Sequence, residues 1–131
     1  MNIRSDVEKA LAVLLKDGNF CVDKIDYDQR NFGNVYVLVR SNNQVNIRFV
    51  KDRDTFWCEI GKSGEWYFIE DVFALIGADY DIGGNDLYEF MSKVAIAVKD
   101  NTNKIFNMFA SSSSQIKIKE LATKRAINMF I

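Results

Sequence analysis

Carboxylates and aromatic rings are interleaved in one stretch of the chain, from residue 65 to residue 90. This stretch holds seven Asp and Glu residues and no Lys or Arg, which gives it a net charge of −7 at neutral pH. Aromatic side chains supply much of the binding energy at protein interfaces, and charges steer the encounter with a partner of opposite sign. The pattern predicts a contact surface for a basic protein. Its predicted members are Glu65, Trp66, Glu70, Asp79, Tyr80 and Asp81.

A second interpretation of the same stretch remains open. The rings could face the core while the acids lie at helix N-termini, where the helix dipole favours negative charge. The loop over residues 79–84 differs from the rest, because two acids flank its Tyr, two glycines follow, and no apolar periodicity places it inside. We expect this loop to be the exposed part of the stretch.

Arg53 stands at the tip of a predicted hairpin, between Asp52 and Asp54. A guanidinium can bind a carboxylate through two parallel hydrogen bonds. Arg53 is therefore either held by Asp52, Asp54 or Asp71, or available to contact a partner. We include it among the predicted partner-binding residues.

Residues suited to catalysis or metal binding form no group above background. The chain has no histidine, which is the commonest general acid–base and metal ligand. Asp23, Asp26 and Asp28 lack the glycine-centred loop of a calcium site and are expected to be exposed on an edge strand. The serine tract 111–114 has no histidine to activate a nucleophile. We expect a binding protein with no catalytic residues, cofactor or metal, and not an enzyme.

The apolar pattern predicts an α+β fold with an N-terminal helix, a four- to five-stranded antiparallel meander, and two to three C-terminal helices packed on the sheet. Ser5 and Glu8 fit a capping box for the first helix, and Gly18 is placed to end it. The apolar run 35–39 is typical of a central strand buried on both faces. Strands are predicted over residues 20–27, 34–40, 44–51 and 55–60, with a short fifth over 66–68.

The C-terminal half is predicted to be helical. A short helix is predicted over residues 70–76 and ends at Gly77. Asn85 or Asp86 is predicted to cap a longer helix, which residues 100–103 are expected to interrupt.

A last helix is predicted after the serine tract. Ser114 can cap it, and it would end near Phe130, although the alternation over residues 116–118 leaves a brief strand open there. From residue 91 to the C-terminus the net charge is +5. The composition argues against a nucleic-acid partner, because the pI of about 5.4 lies far from the values of typical nucleic-acid binders.

Length and composition are those of one domain. The chain has 131 residues, 48% hydrophobic and 27% charged. Cys21 and Cys58 lie in apolar runs and are expected to be buried free thiols. The N-terminus has no apolar signal core, and no run reaches the roughly 20 apolar residues of a membrane span. These features predict a cytoplasmic protein with no membrane partner, as a monomer or a dimer.

One part of the chain resembles a known family. Residues 49–60, the pair Trp66-Tyr67 and residues 69–77 together resemble the small bacterial immunity proteins encoded beside polymorphic and contact-dependent toxins. In those proteins a strand ends in an Asp-Arg turn, the next strand carries aromatic and acidic residues, and a Trp-plus-aromatic pair leads into a short helix.

The resemblance implies that the protein binds one cognate toxin and blocks its active site or substrate path. Many such toxins are basic nucleases, which agrees with the acidic stretch. Two other functions remain open: a secretion chaperone for an effector, which would be a dimer with exposed apolar patches, and a small ligand-binding or enzymatic domain with a deep pocket.

Overall fold

The structure, a computed structural model, describes residues 2–30 and 33–129 of the chain. An N-terminal helical segment leads into a five-stranded antiparallel sheet, and helices follow, so the predicted α+β fold is confirmed. In chain order the elements are α1 (Ile3–Ala10), α2 (Ala12–Leu15), β1 (Phe20–Asp28), β2 (Asn34–Ser41), β3 (Val45–Asp52), β4 (Thr55–Lys62), β5 (Glu65–Phe68), α3 (Ile69–Ile76), α4 (Leu87–Asp100), α5 (Thr102–Ala110) and α6 (Ser112–Met129).

The sheet is a meander in the order β1-β2-β3-β4-β5, and each strand begins and ends within two residues of its predicted position. Asp52 pairs with Thr55, so β3 and β4 are joined by a tight loop of Arg53 and Asp54. The predicted turn between β1 and β2 includes residues 31 and 32, which lie outside the described residues. Short antiparallel connections of this kind fix the register of neighbouring strands.

One face of the sheet packs against the helices through aromatic contacts. The ring of Phe90 in α4 lies edge-on to Phe49 at 6.2 Å and tilted against Phe56 at 5.1 Å. Phe20 of β1 meets Phe106 of α5 at 5.8 Å. The interior strands contribute the remaining buried side chains of this face. They are Val35, Val37, Val39, Val45, Ile47, Cys58 and Ile60.

Helix α4 packs on that face through Phe90. Asp86 caps it by accepting a hydrogen bond from the backbone N–H of Glu89 at 2.8 Å. A break at Asn101 separates α4 from α5. Four apolar residues at helical spacing along α4 are all buried. They are Leu87, Met91, Val94 and Val98.

The N-terminal helix differs from its prediction in two ways. Asn2, not Ser5, is the N-cap, because the Asn2 side chain accepts a hydrogen bond from the Ser5 backbone N–H at 3.2 Å. Glu8 is thereby free to pair with Arg4 one turn away. The helix is also interrupted at Leu11, where the backbone leaves helical geometry between α1 and α2.

Two further predictions are wrong. Cys21 is exposed, because β1 is an edge strand and its register places Cys21 opposite the exposed Arg40.

The predicted cap of the last helix at Ser114 is the second. The last helix begins at Ser112, since the Ser111 hydroxyl accepts a hydrogen bond from the Ser114 N–H at 3.3 Å. Residues 116–118 are helical rather than a strand. The predicted end at Phe130 lies outside the described residues.

Candidate protein-binding surface

The strands also carry side chains on the side of the sheet that faces away from the helices. Alternate residues of a strand point to opposite faces, so the neighbours of the buried Val37, Phe49 and Cys58 project from this side. We call this side the uncovered face. Eight of its side chains, on β2 to β5, are at least partly exposed. They are Tyr36, Leu38, Arg48, Val50, Trp57, Glu59, Trp66 and Phe68.

A polar and aromatic network orders the middle of the uncovered face. Arg48 donates to both carboxylate oxygens of Glu59, from Nε to Oε1 at 3.2 Å and from a terminal nitrogen to Oε2 at 2.9 Å. The indole N–H of Trp57 donates to Glu59 Oε1 at 3.0 Å. The Arg48 guanidinium carbon lies 4.2 Å from the centre of the Trp66 ring. These contacts hold both indoles in fixed positions on the uncovered face.

Gly61 makes room for the Trp66 ring. The two residues pair directly across β4 and β5. A Cβ atom at Gly61 would lie against the Glu65 carbonyl oxygen and 2.9 Å from ring atoms of Trp66, and both distances are shorter than real Cβ contacts. The indole therefore lies over β4 at a distance that only glycine permits, and this position brings it under Arg48.

The loop containing Asp79, Tyr80 and Asp81 is exposed. The Tyr80 ring rests on Phe73 of α3, with their centroids 4.8 Å apart. Asp81 pairs with Lys93 of α4 at 3.4 Å. These contacts attach the loop to the helix layer, whereas Trp66 contacts Arg48 on the sheet.

The other acidic residues of the predicted site are also separated. Glu65 is exposed at the β4–β5 turn, where it pairs with Lys119 of α6 at 3.4 Å and accepts a hydrogen bond from the Tyr67 hydroxyl at 3.0 Å. Glu70 is half-buried in the first turn of α3. Burial raises the pKa of the Glu70 carboxyl above its usual range.

Arg53 lies at the opposite end of β4 from Trp66. Its backbone N–H donates to Asn34 Oδ1 at 2.7 Å, and its φ of 58° suits the tight turn. Thr55 begins β4, and Gly61, the partner of Trp66, lies about 20 Å further along the extended strand. The structure therefore does not bring the seven predicted residues into one site.

Asp71 binds Arg125 of α6. The Arg125 Nε atom lies 2.9 Å and 3.0 Å from the two carboxylate oxygens of Asp71. The Asp71 side chain is only 6% exposed, and hydrogen bonding to it raises the pKa of Arg125. The two residues are 54 positions apart, so this ion pair fastens α6 to α3.

Two buried titratable groups, the Cys58 thiol and the Tyr67 hydroxyl, stay in their neutral forms at neutral pH. Burial raises the pKa of the Cys58 thiol well above its usual value, so it is a poor nucleophile. Burial and the hydrogen bond to Glu65 raise the pKa of Tyr67 to about 12. Within residues 2–30 and 33–129, no group of three or more His, Cys, Asp or Glu side chains is arranged to hold a metal ion.

The uncovered face contains residues that the sequence does not single out. Tyr36, Arg48 and Trp57 lie on three different strands, and only the register brings them together. The one sequence feature that points to residues of this face is the apolar run 35–39. It predicts burial on both faces of β2, whereas the structure leaves Tyr36 and Leu38 only half-buried.

None of the helices in the described part of the chain has the length and apolar character needed to cross a membrane. Comparisons with protein-family models, curated proteins and solved structures find no match. The function is therefore inferred from the residues of this chain.

Proposed function

We propose that this protein is an immunity-type binding module, which neutralises a cognate bacterial toxin by direct contact through the uncovered face. The proposal is carried by three aromatic side chains, Tyr36, Trp57 and Trp66, which are only half-buried on the uncovered face. Phe68 lies on the same face at its edge, where the Arg125 guanidinium of α6 is 6.0 Å from the centre of the Phe68 ring. Water-facing sides of antiparallel sheets are usually polar. Trp and Tyr are enriched among the residues that dominate binding energy at interfaces. A protein partner accounts for these rings better than solvent does.

The dimensions of the uncovered face suit such a partner. Five strands spaced about 4.8 Å apart span about 20 Å, and eight residues along a strand span about 26 Å. The resulting platform of roughly 500 Å² is more than half of the roughly 800 Å² that each partner contributes to a standard interface. The turns around the platform can supply the remainder.

Charge supports a basic partner. The stretch from residue 65 to residue 90 has a net charge of −7, and Glu65, Asp79 and Asp81 in it are exposed. An acidic surface attracts a cationic partner and speeds association. A toxin domain that acts on nucleic acid carries positive charge for its own substrate, so it has the required sign.

The resemblance to immunity proteins points to the same surface. The segments that carry it supply four of the eight side chains of the uncovered face, namely Val50, Trp57, Glu59 and Trp66. A rigid platform that seats these residues over a toxin's active site or substrate path would block the toxin without chemistry. In this proposal the Asp79–Asp81 loop steers association from the side rather than forming the central contact.

The proposal is tested with the toxin domain encoded by the neighbouring gene. Leu38→Lys places a positive charge in the middle of the uncovered face, where it should weaken binding of a basic toxin by at least about tenfold. The matched control is Ile116→Lys, because Ile116 is 60% exposed on α6 and away from the sheet. The control should bind like the wild type. The measurements are titration calorimetry and growth of cells that express the toxin.

Other outcomes separate the alternatives. Affinity that falls as salt rises from about 0.05 M to about 0.5 M agrees with a charged interface. Retention of the toxin by Leu38→Lys with unchanged affinity would place the interface elsewhere. No binding of the neighbouring gene product, together with a stable dimer in light scattering, would favour an effector chaperone.

A further inference from the structure

A cavity of about 500 Å³ opens at one end of the uncovered face. Tyr36, Val50 and Trp57 form a row across β2, β3 and β4, because Val50 pairs with Tyr36 on one side and with Trp57 on the other. All three side chains point away from the helices. Val50 is much smaller than its neighbours, so the row has an aliphatic gap between two aromatic side chains. We call this feature the aromatic slot.

The width of the aromatic slot suits one flat group. Tyr36 and Trp57 stand two strand spacings apart, about 10 Å between their backbones. A flat group stacked between two rings needs about 3.5 Å on each side, or ring planes about 7 Å apart. The hydrogen bond from Trp57 to Glu59 already fixes the Trp57 ring.

The rim of the cavity is negatively charged. Its lining contains three carboxylates, Asp26, Asp28 and Asp52, and one ammonium, Lys51. Existing donors engage Oδ1 of Asp28 at 3.1 Å and Oδ1 of Asp52 at 3.4 Å, while a carboxylate can accept about four hydrogen bonds. The pair of Asp26 with Lys24 has both side chains more than half exposed, at 62% and 58%, so an incoming cation can replace it.

We propose, resting on the protein-binding function above, that the aromatic slot takes an arginine side chain of the partner. The guanidinium would stack between Tyr36 and Trp57 over Val50 and donate hydrogen bonds to the rim carboxylates. Arginine fits better than lysine, because the guanidinium is flat, is weakly hydrated and binds carboxylates through two donors at once. The uncovered face thereby gains an anchor that selects a basic partner.

The first test uses the isolated protein and a small probe, N-acetyl-arginine amide. The chain has two tryptophans, each with one indole N–H signal in the NMR spectrum. We expect a saturable shift of the Trp57 signal with a dissociation constant on the order of millimolar. The Trp66 signal is the internal control, since Arg48 already occupies the face of that ring. N-acetyl-citrulline amide has nearly the same shape without the charge and should bind at least about tenfold more weakly.

A variant tests the rim. Replacing Asp26, Asp28 and Asp52 together by Asn should raise the dissociation constant of the arginine probe by about tenfold or more. Thermal unfolding checks that the variant is folded. The control Asp79→Asn/Asp81→Asn removes charge from the distant loop and should leave probe binding unchanged. Equal shifts at both indoles, equal binding of the citrulline probe, or no Trp57 response would each overturn the assignment of the slot.

The same triple variant separates the slot from the proposed function. If it binds the toxin with wild-type affinity while Leu38→Lys does not, the slot proposal fails and the protein-binding function stands. If the arginine probe binds at Trp57 but Leu38→Lys leaves toxin binding unchanged, the slot stands and the uncovered face is not the toxin interface.

Discussion

The two faces of the sheet are built from the same strands but hold different kinds of side chain. On the helix side, Val37, Ile47 and Phe49 are at most 1% exposed and make only apolar contacts with the layer above. On the uncovered face, Arg48 and Trp57 are fixed by hydrogen bonds to a carboxylate as well as by packing. The difference shows that apolar content alone does not distinguish a buried face of a sheet from an exposed one. Aromatic rings with polar partners can remain ordered in water, whereas aliphatic side chains need cover.

The two cysteines should give the largest difference between the faces. Cys21 is exposed, whereas Cys58 is 0% exposed and burial raises the pKa of its thiol. A thiol reagent should modify Cys21 at the rate of a free peptide thiol and Cys58 at least about 1000-fold more slowly, because Cys58 reacts only after the fold opens. In Cys21→Ser only the slow phase should remain. Two fast phases in the wild type would show that the core face is accessible.

Truncation of adjacent residues in β3 compares the faces directly. Phe49→Ala removes a 0% exposed ring from the core and should lower the free energy of unfolding by about 3–5 kcal/mol. Val50→Ala removes atoms of a half-buried side chain on the uncovered face and should lower the free energy of unfolding by about 1 kcal/mol or less. Urea unfolding of both variants measures the difference. Similar losses would mean that the uncovered face is part of the folding core.

The uncovered face should be sensitive at one position. Gly61→Ala would place a methyl group against the Glu65 carbonyl oxygen and 2.9 Å from the Trp66 ring, so both the β5 backbone and the ring must shift. It should lower the free energy of unfolding by about 3 kcal/mol and change the tryptophan fluorescence as the ring moves from Arg48. Gly83→Ala is the control, because a Cβ atom there has no neighbour within 4 Å. It should change stability by less than about 0.5 kcal/mol. Equal effects of the two substitutions would argue against close packing at Trp66.

The free energy of unfolding should depend on alkaline pH through two groups on the core face. Burial raises the pKa of Cys58 well above its usual value and that of Tyr67 to about 12. The unfolded chain releases these protons near about pH 8.5 and about pH 10, whereas the folded chain retains them. The free energy of unfolding should therefore fall as pH rises from about 9 to about 12.

Urea midpoints between about pH 7 and about pH 10.5 measure this decline. Cys58→Ala lacks the buried thiol, so its midpoint should fall less steeply than that of the wild type. Identical slopes for the two proteins would show that the Cys58 thiol does not contribute.

Local patterns predict most of the fold. The alternation in β3 and the acid at Asp86 each act through near neighbours in sequence, and the structure confirms both. Asn2 competes with Ser5 for the same cap, and the pattern alone does not decide between them. Cys21 is exposed because β1 is at the sheet edge, which depends on strand order rather than on its neighbours.

The candidate site is less predictable for the same physical reason. Glu65 and Trp66 are adjacent in sequence, yet Glu65 contacts Lys119 of α6 whereas Trp66 contacts Arg48 of β3. Arg48 and Trp66 are far apart in sequence and meet through the register of three strands. Charge can be counted along a chain, but a surface exists only after the strands are paired.

The position of α1 and α2 has a consequence for the order in which the molecule assembles. Their main neighbour is α4, which the ribosome makes only after the entire sheet. The hairpins of the meander close short loops and can form early, while the N-terminal helices wait for residues 87–100. We expect the nascent chain to hold an apolar N-terminal segment without its cover during most of synthesis. A chaperone that binds the nascent chain is expected to bind at this N-terminal segment.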